Sequence, residues 1–276
     1  MLDNFIFENH LHQRFIGREN GVYLNYSELR DYSWSYDTIN NRISRFHQPV
    51  QERKIPLVVK CDSEEEAVNV KNQLLEIADA DIMAKSPGKV YVGDYYTKGY
   101  ITSSKKSEYL IDKRYCKIDL VLTSDDPQWY REQTHVFLPD EGNAISIGSG
   151  TDYPYDYAYD YALALVGRRI VCDSVGASAF RLLIYGPATD PNIVIGGHTY
   201  AVTGSIAQGE TLLIDSMGKT ITLMTATGGS INWFAKRSRE SYIFEPIPAG
   251  VNSVSWVGGY GFDLTVIEQR SEPRWT

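Results

Sequence analysis

The sequence predicts an α+β domain followed by an all-β sandwich. Three observations lead there: a single stretch with helical periodicity in the first third, strand-length apolar runs around it, and short alternating runs punctuated by glycine in the second half. With 276 residues the chain exceeds what one compact core usually organises, so two domains are expected.

The helix is opened by Ser63, with Glu66 three residues later, a capping box in which each side chain satisfies an orphan backbone donor. Ala67, Val70, Leu74, Ile77 and Ala78 then recur at helical spacing and form one apolar stripe suited to packing on a sheet. This spacing predicts a helix over residues 64–80. Runs rich in Val, Ile, Tyr and Leu predict strands at residues 55–60, 89–95, 100–103 and 115–123. Between residues 36 and 54 the sequence turns polar, carries Arg42, Arg45, Arg53 and Lys54, and is interrupted by Pro49. That composition fits a long projecting arm or a solvated loop with no partner.

After Trp129 the pattern thins, and residues 139–150 are rich in Gly, Ser, Asp and Asn, which marks a linker. The expected organisation is a first domain over 1–138, the linker 139–150 and a second domain over 151–276. In the second half Phe180, Leu182 and Ile184, then Leu212 and Ile214, Ile221 and Leu223, and Phe262, Leu264 and Val266 each place apolar side chains on one face of a strand. Turn residues separate them at Gly186-Pro187, Gly196-Gly197, Met217-Gly218, Gly228-Gly229 and Gly258-Gly259, the punctuation of an antiparallel β-sandwich. In the run YPYDYAYDY, residues 153–161, alternation lines one face of an extended chain with Tyr rings.

Composition narrows the function. A formal charge of -8 argues against wrapping phosphate backbones, which requires clustered Lys and Arg. Cys61, Cys116 and Cys172 are odd in number and far apart, so they read as small buried apolar residues instead of a disulfide or zinc framework. The start MLDNFIFENH has no basic, apolar secretion signal, and no apolar run approaches membrane-spanning length; synthesis and assembly in a cytoplasm is the expectation. Aromatic residues reach 12%, with 20 Tyr, an excess that accompanies extensive protein surfaces, sugar-stacking faces or ordinary strand-rich composition.

Four local patterns stand in order along the chain: Asp31-Tyr32-Ser33-Trp34-Ser35-Tyr36 leading into the polar arm, strand and capped helix; the Tyr run at 153–161; Ile247-Pro248-Ala249-Gly250-Val251-Asn252; and the terminal Glu272-Pro273-Arg274-Trp275-Thr276. Together, with the helix position and the two-domain plan, they resemble the distal tail protein (Dit) family of long-tailed phages of Gram-positive bacteria. The resemblance spans nearly the whole chain. It implies a first domain that assembles into a homohexameric ring beneath the tail tube and a galectin-like second domain. It also implies a hub in the virion tail tip that binds the tail tube protein, a tail-associated lysin and, in many phages, receptor-binding proteins.

The residues offer little recognisable chemistry. His10, His12, His47, His135 and His198 are scattered without a metal-binding spacing, although His10 and His12 share a strand face as a possible fortuitous pair. There is no G-x-S-x-G elbow and no P-loop, and Gly148-Ser149-Gly150 does not precede a helix. Asp125-Asp126, and Asp215 with Glu210, are carboxylates that a glycosidase reading would need at a set separation, or that simply keep an acidic surface soluble. The expectation is a non-enzymatic protein with no cofactor, metal, nucleic acid or membrane insertion. The candidate oligomer interface is Arg42, Ile43, Arg45, Phe46 and Arg53, whose cations can pair with a neighbour's acids while the apolar members are buried. The alternative is a carbohydrate-binding module contacting a host saccharide, with Trp233, Phe234 and Trp256 as a stacking platform or else as core.

Overall fold

The computed structural model describes residues 4–25, 27–108, 112–139 and 168–275. The expected linker 139–150, apart from Pro139, and the Tyr run 153–161 lie outside them. The chain divides into two compact units, Met1–Arg131 with Gln269–Thr276, and Glu132–Glu268.

The first unit contains β1 (Ile6–Glu8), β2 (Arg14–Ile16), β3 (Val22–Leu24), β4 (Ser35–Ile39), β5 (Arg42–His47), β6 (Gln51–Lys60), α1 (Glu64–Ala84), β7 (Gly88–Val92), β8 (Tyr95–Ser107), β9 (Tyr115–Ser124) and the start of β10 (Trp129–Phe137). It is organised around the long strand β8. Residues 95–99 of β8 pair with β7, which continues through β1 to β2, while residues 100–107 pair with β9, which continues through β6 to β3. A register shift between Ile101 and Ser103 marks the handover, where a bulge bends the strand. Phe5, Phe7, Phe15, Ile55, Leu57, Val59, Leu120 and Trp129 meet the helix stripe in one core.

Helix α1 buries Ala67, Val70, Leu74, Ile77 and Ala78, the stripe read from the sequence, and adds Asp81. The helix runs four residues past the predicted end, to Ala84, where Lys85 stops it in the left-handed conformation at φ 52. Ser63 Oγ accepts from the Glu66 N–H at 3.1 Å as expected, but the Glu66 carboxylate reaches one residue further back, to the Asp62 N–H at 3.2 Å. Asp81 is fully buried and accepts from the backbone N–H of His10 at 2.8 Å, with the His10 ring Nδ1 at 2.7 Å. Gly88 leaves room for it, since a Cβ there would stand 2.3 Å from Asp81 Oδ2.

The second unit contains the rest of β10, then β11 (Arg168–Cys172), β12 (Ala179–Tyr185), β13 (Ala188–Thr189), β14 (Asn192–Ile195), β15 (His198–Ala201), β16 (Ser205–Ile206), β17 (Thr211–Asp215), β18 (Thr220–Met224), β19 (Ser230–Asn232), β20 (Gly250–Trp256) and most of β21 (Phe262–Arg270). One antiparallel sheet has the order β19-β18-β17-β12-β21 and another the order β11-β20-β14-β15. The alternating residues of the first, from Phe180 through Val266, meet Ile170, Cys172, Ile193, Ile195, Tyr200 and Val254 of the second in a single core. This is a β-sandwich. Gly196 and Gly197, at φ 58 and 85, form the two-residue turn between β14 and β15 that positive φ requires. All three cysteines are buried and free, with their thiol pKa values raised by burial.

Candidate functional site

The polar segment after Tyr36 is a strand pair and not a loop. β4 and β5 form a hairpin paired from Ser35↔His47 to Ile39↔Arg42, with a bulge at Ser44 where the register shifts between Asp37 and Thr38, closed by Asn40 and Asn41 at φ 51 and 59. Asn tolerates this left-handed geometry, and such a primed turn matches the twist of the strands it joins. Residues 36–46 are all exposed, and the hairpin pairs with no other described strand. Isolated two-stranded ribbons are marginal in water. This one nevertheless presents Tyr36, Ile39, Ile43 and Phe46, each more than half exposed. So many large apolar side chains exposed on one short hairpin are unusual for a surface that stays in water.

Register assigns the arm two faces. Tyr36 packs edge-on against Phe46 with ring centroids 6.5 Å apart, and across the bulge Thr38 and Ile43 continue that face. Ile39, Arg42 and Arg45 lie on the other face with Asp37, which sits opposite Arg45 and 3.9 Å from His47 Nδ1. The root is fixed by polar contacts. Gln51 Nε2 donates to the Ser33 carbonyl at 3.0 Å, Trp34 Nε1 donates to Ser271 Oγ at 3.2 Å, and Arg30 donates to the Pro273 carbonyl at 3.1 Å while lying over the Trp275 ring.

Arg42, Ile43, Arg45 and Phe46 are thus brought together on the arm, whereas Arg53 is not. Arg53 is only 2% exposed, inside the first unit. It donates to the Pro127 carbonyl at 2.8 Å, the Asp31 carbonyl at 3.3 Å and Gln51 Oε1 at 3.2 Å. Burial, partly offset by Asp31, pulls its pKa down to about 10. The sequence held a sign of this: continuing the alternation of Val59, Leu57 and Ile55 backwards places residue 53 on the inward face. Conversely, Tyr36 and Ile39 were absent from the candidate interface set, although Tyr32, Trp34 and Tyr36 alternate along the chain.

The aromatic residues considered as a saccharide platform are largely covered. Trp233 is buried beneath Lys236, whose ammonium lies 4.6 Å from the ring. Trp256 packs edge-on against Phe137 and Phe262, donates to the Tyr260 carbonyl at 2.9 Å, and carries Arg168 over its ring. Phe234 is 39% exposed, but one neighbour is Arg237, 4.0 Å from the ring centroid, and another is the stacked Phe244.

The carboxylates and histidines have local tasks. Asp126 accepts from the Tyr130 hydroxyl, Asp215 accepts from the Met217 and Gly218 N–H groups of its turn, and Glu210 accepts from the Ala207 N–H. His10 and His12 do not converge, because one turns to Asp81 and the other to Glu8. Among the described residues no three His, Cys, Asp or Glu side chains gather as a metal site would require.

No family model matches the chain, and no curated protein matches it. Solved structures do. The SPP1 Dit protein, described as a paradigm of the hub adsorption apparatus in phages infecting Gram-positive bacteria, superposes with a TM-score of 0.57 at 12% identity, over 96% of this chain and 99% of that one. A chain of the phage P2 baseplate in its activated conformation with calcium gives 0.63 at 13% identity, over 99% and 100%. The corresponding strontium structure gives 0.61 at 12% identity over the same shares. The chain therefore has the fold of these hub and baseplate chains along its full described length.

Proposed function

We propose that this protein is a non-enzymatic structural subunit of a phage tail tip, forming a homohexameric ring that links the tail tube to a tail-associated lysin and to host-adhesion proteins. The observation that carries this reading is the similarity of fold over both units to the Dit hub protein and to phage baseplate chains. The arm supports it: a closed ring needs a heterologous contact, and an exposed hairpin supplies one surface without altering the core. In this reading the first unit and its arm close the ring, and the second unit takes no part in closure. Negative-stain electron microscopy of the purified full-length protein tests it. Annular particles with sixfold views are expected; a field of single protomers across the accessible concentration range contradicts it.

A further inference from the structure

The arm pairs with no other described strand, so its pose is set where it leaves the first unit. We propose that the segment Ser271–Trp275 is a strap that holds the arm in its pose, with Arg30, Trp34 and Trp275 as the positioning residues. This rests on the reading of the arm as the element that closes the ring; the holding itself is a property of the single protomer.

The two legs of the arm are supported differently. β5 leads through residues 48–50 into β6, whose first residue, Gln51, is already paired opposite Ser124 in a sheet. The leg before β4, residues 31–34, is irregular and exposed throughout. Part of its support comes from β6, where Gln51 Nε2 donates to the Ser33 carbonyl at 3.0 Å and Arg53 Nε to the Asp31 carbonyl at 3.3 Å. The strap adds ties at both ends of the leg. Trp34 Nε1 donates to Ser271 Oγ at 3.2 Å, while Arg30 donates to the Pro273 carbonyl at 3.1 Å and places its guanidinium carbon 4.1 Å from the centroid of the Trp275 ring. These contacts run in opposite order along the two segments, so strap and leg lie antiparallel, both within the first unit.

Residues 31–36 and 272–275 contribute to neither hydrophobic core. Trp34 and Trp275 are 42% and 76% exposed, so their contacts orient the leg and bury little area. An isolated two-stranded ribbon sits near the balance between ordered and open. A few contacts at its root therefore change the open fraction by a large factor, at little cost to the rest of the fold.

Trypsin reads that fraction, because Arg42 and Arg45 lie exposed on β5 and cleavage after either requires the ribbon to open. The full-length chain is digested at a dilution that keeps protomers apart, beside two variants: Trp34→Phe with Trp275→Ser, and a chain whose residues 271–275 are replaced by glycine and serine. Cleavage after Arg42 and Arg45 is expected to quicken by about fivefold in the first and about tenfold or more in the second. Assembly, read by sedimentation, should weaken in the same order. Both Trp positions are exposed, so the first variant should keep the parent's thermal transition, which separates release of the arm from loss of the fold. Cleavage within about twofold of the parent in both variants overturns the strap and leaves the ring reading standing. Faster cleavage with unchanged assembly overturns its service to the ring. If the parent never assembles, the ring reading falls and cleavage alone decides the strap.

Discussion

The guanidinium of Arg53 donates to the carbonyl of Pro127 at 2.8 Å from an inward position on β6, in line with Ile55, Leu57 and Val59. A cation in that row joins the segments before β4 and before β10 by binding carbonyls of both. Replacing Arg53 with Leu leaves those buried acceptors without a donor and should cost about 2–4 kcal/mol in chemical denaturation. Arg53→Lys should recover only part, because an ammonium cannot reproduce the fork. A loss below about 0.5 kcal/mol for Arg53→Leu would contradict the structural role.

On the arm the reverse is expected. Ile43 and Phe46 are 52% and 59% exposed, so Ile43→Ser and Phe46→Ser should change protomer stability by less than about 0.5 kcal/mol. Assembly should weaken by about 1–2 kcal/mol for each if the ring uses them. Loss of protomer stability without loss of assembly would show that the arm packs on its own fold.

Stability should fall steeply above pH 10. Burial pushes the Tyr260 phenol up to about 12, and the hydrogen bond to Asp263, with some burial, does the same for Tyr185. Tyr130 and Tyr200 also move up, first by burial and then through Asp126 and Glu245. An unfolded tyrosine titrates near 10, so the folded state holds more protons between pH 10 and 12, and stability present below that window is lost through it. Arg53 acts oppositely, because burial holds its folded pKa at about 10, well below the ordinary guanidinium value, but it is one group against four. The Tyr260 hydroxyl donates to the Asn192 carbonyl at 3.0 Å and accepts from its N–H at 2.9 Å. Tyr260→Phe should therefore cost about 1 kcal/mol at neutral pH and make the alkaline decline shallower. A melting temperature independent of pH up to 12 would contradict this.

Phe137 stacks on Phe262 at 4.6 Å and meets Trp256 edge-on, so the end of β10 is part of the second unit's core. A fragment of residues 132–268 should unfold cooperatively, whereas residues 151–276 should be markedly less stable for want of that ring. Equal thermal transitions for the two fragments would refute the assignment of β10.

What could be read from the sequence follows from how one-sided each element is. α1 and strands β12, β17, β18 and β21 bury one face against a core, so their periodicity was legible before any coordinates. The arm was legible only as an interruption, since β4 and β5 expose both faces and neither alternates against a core. The polar middle of β10, Arg131 to His135, hid a strand for the same reason. Arg53 was misplaced because a cation in an inward register looks like surface until its carbonyl partners, far away in sequence, are brought to it.

The most direct test of the central claim is the solution mass of the full-length protein by light scattering, beside a variant in which residues 36–46 are replaced by a short glycine-serine turn. The account predicts about six protomers for the full chain and a folded monomer without the arm. A monomeric full-length chain at high concentration, or an arm-less variant that keeps the full assembled mass, would contradict it.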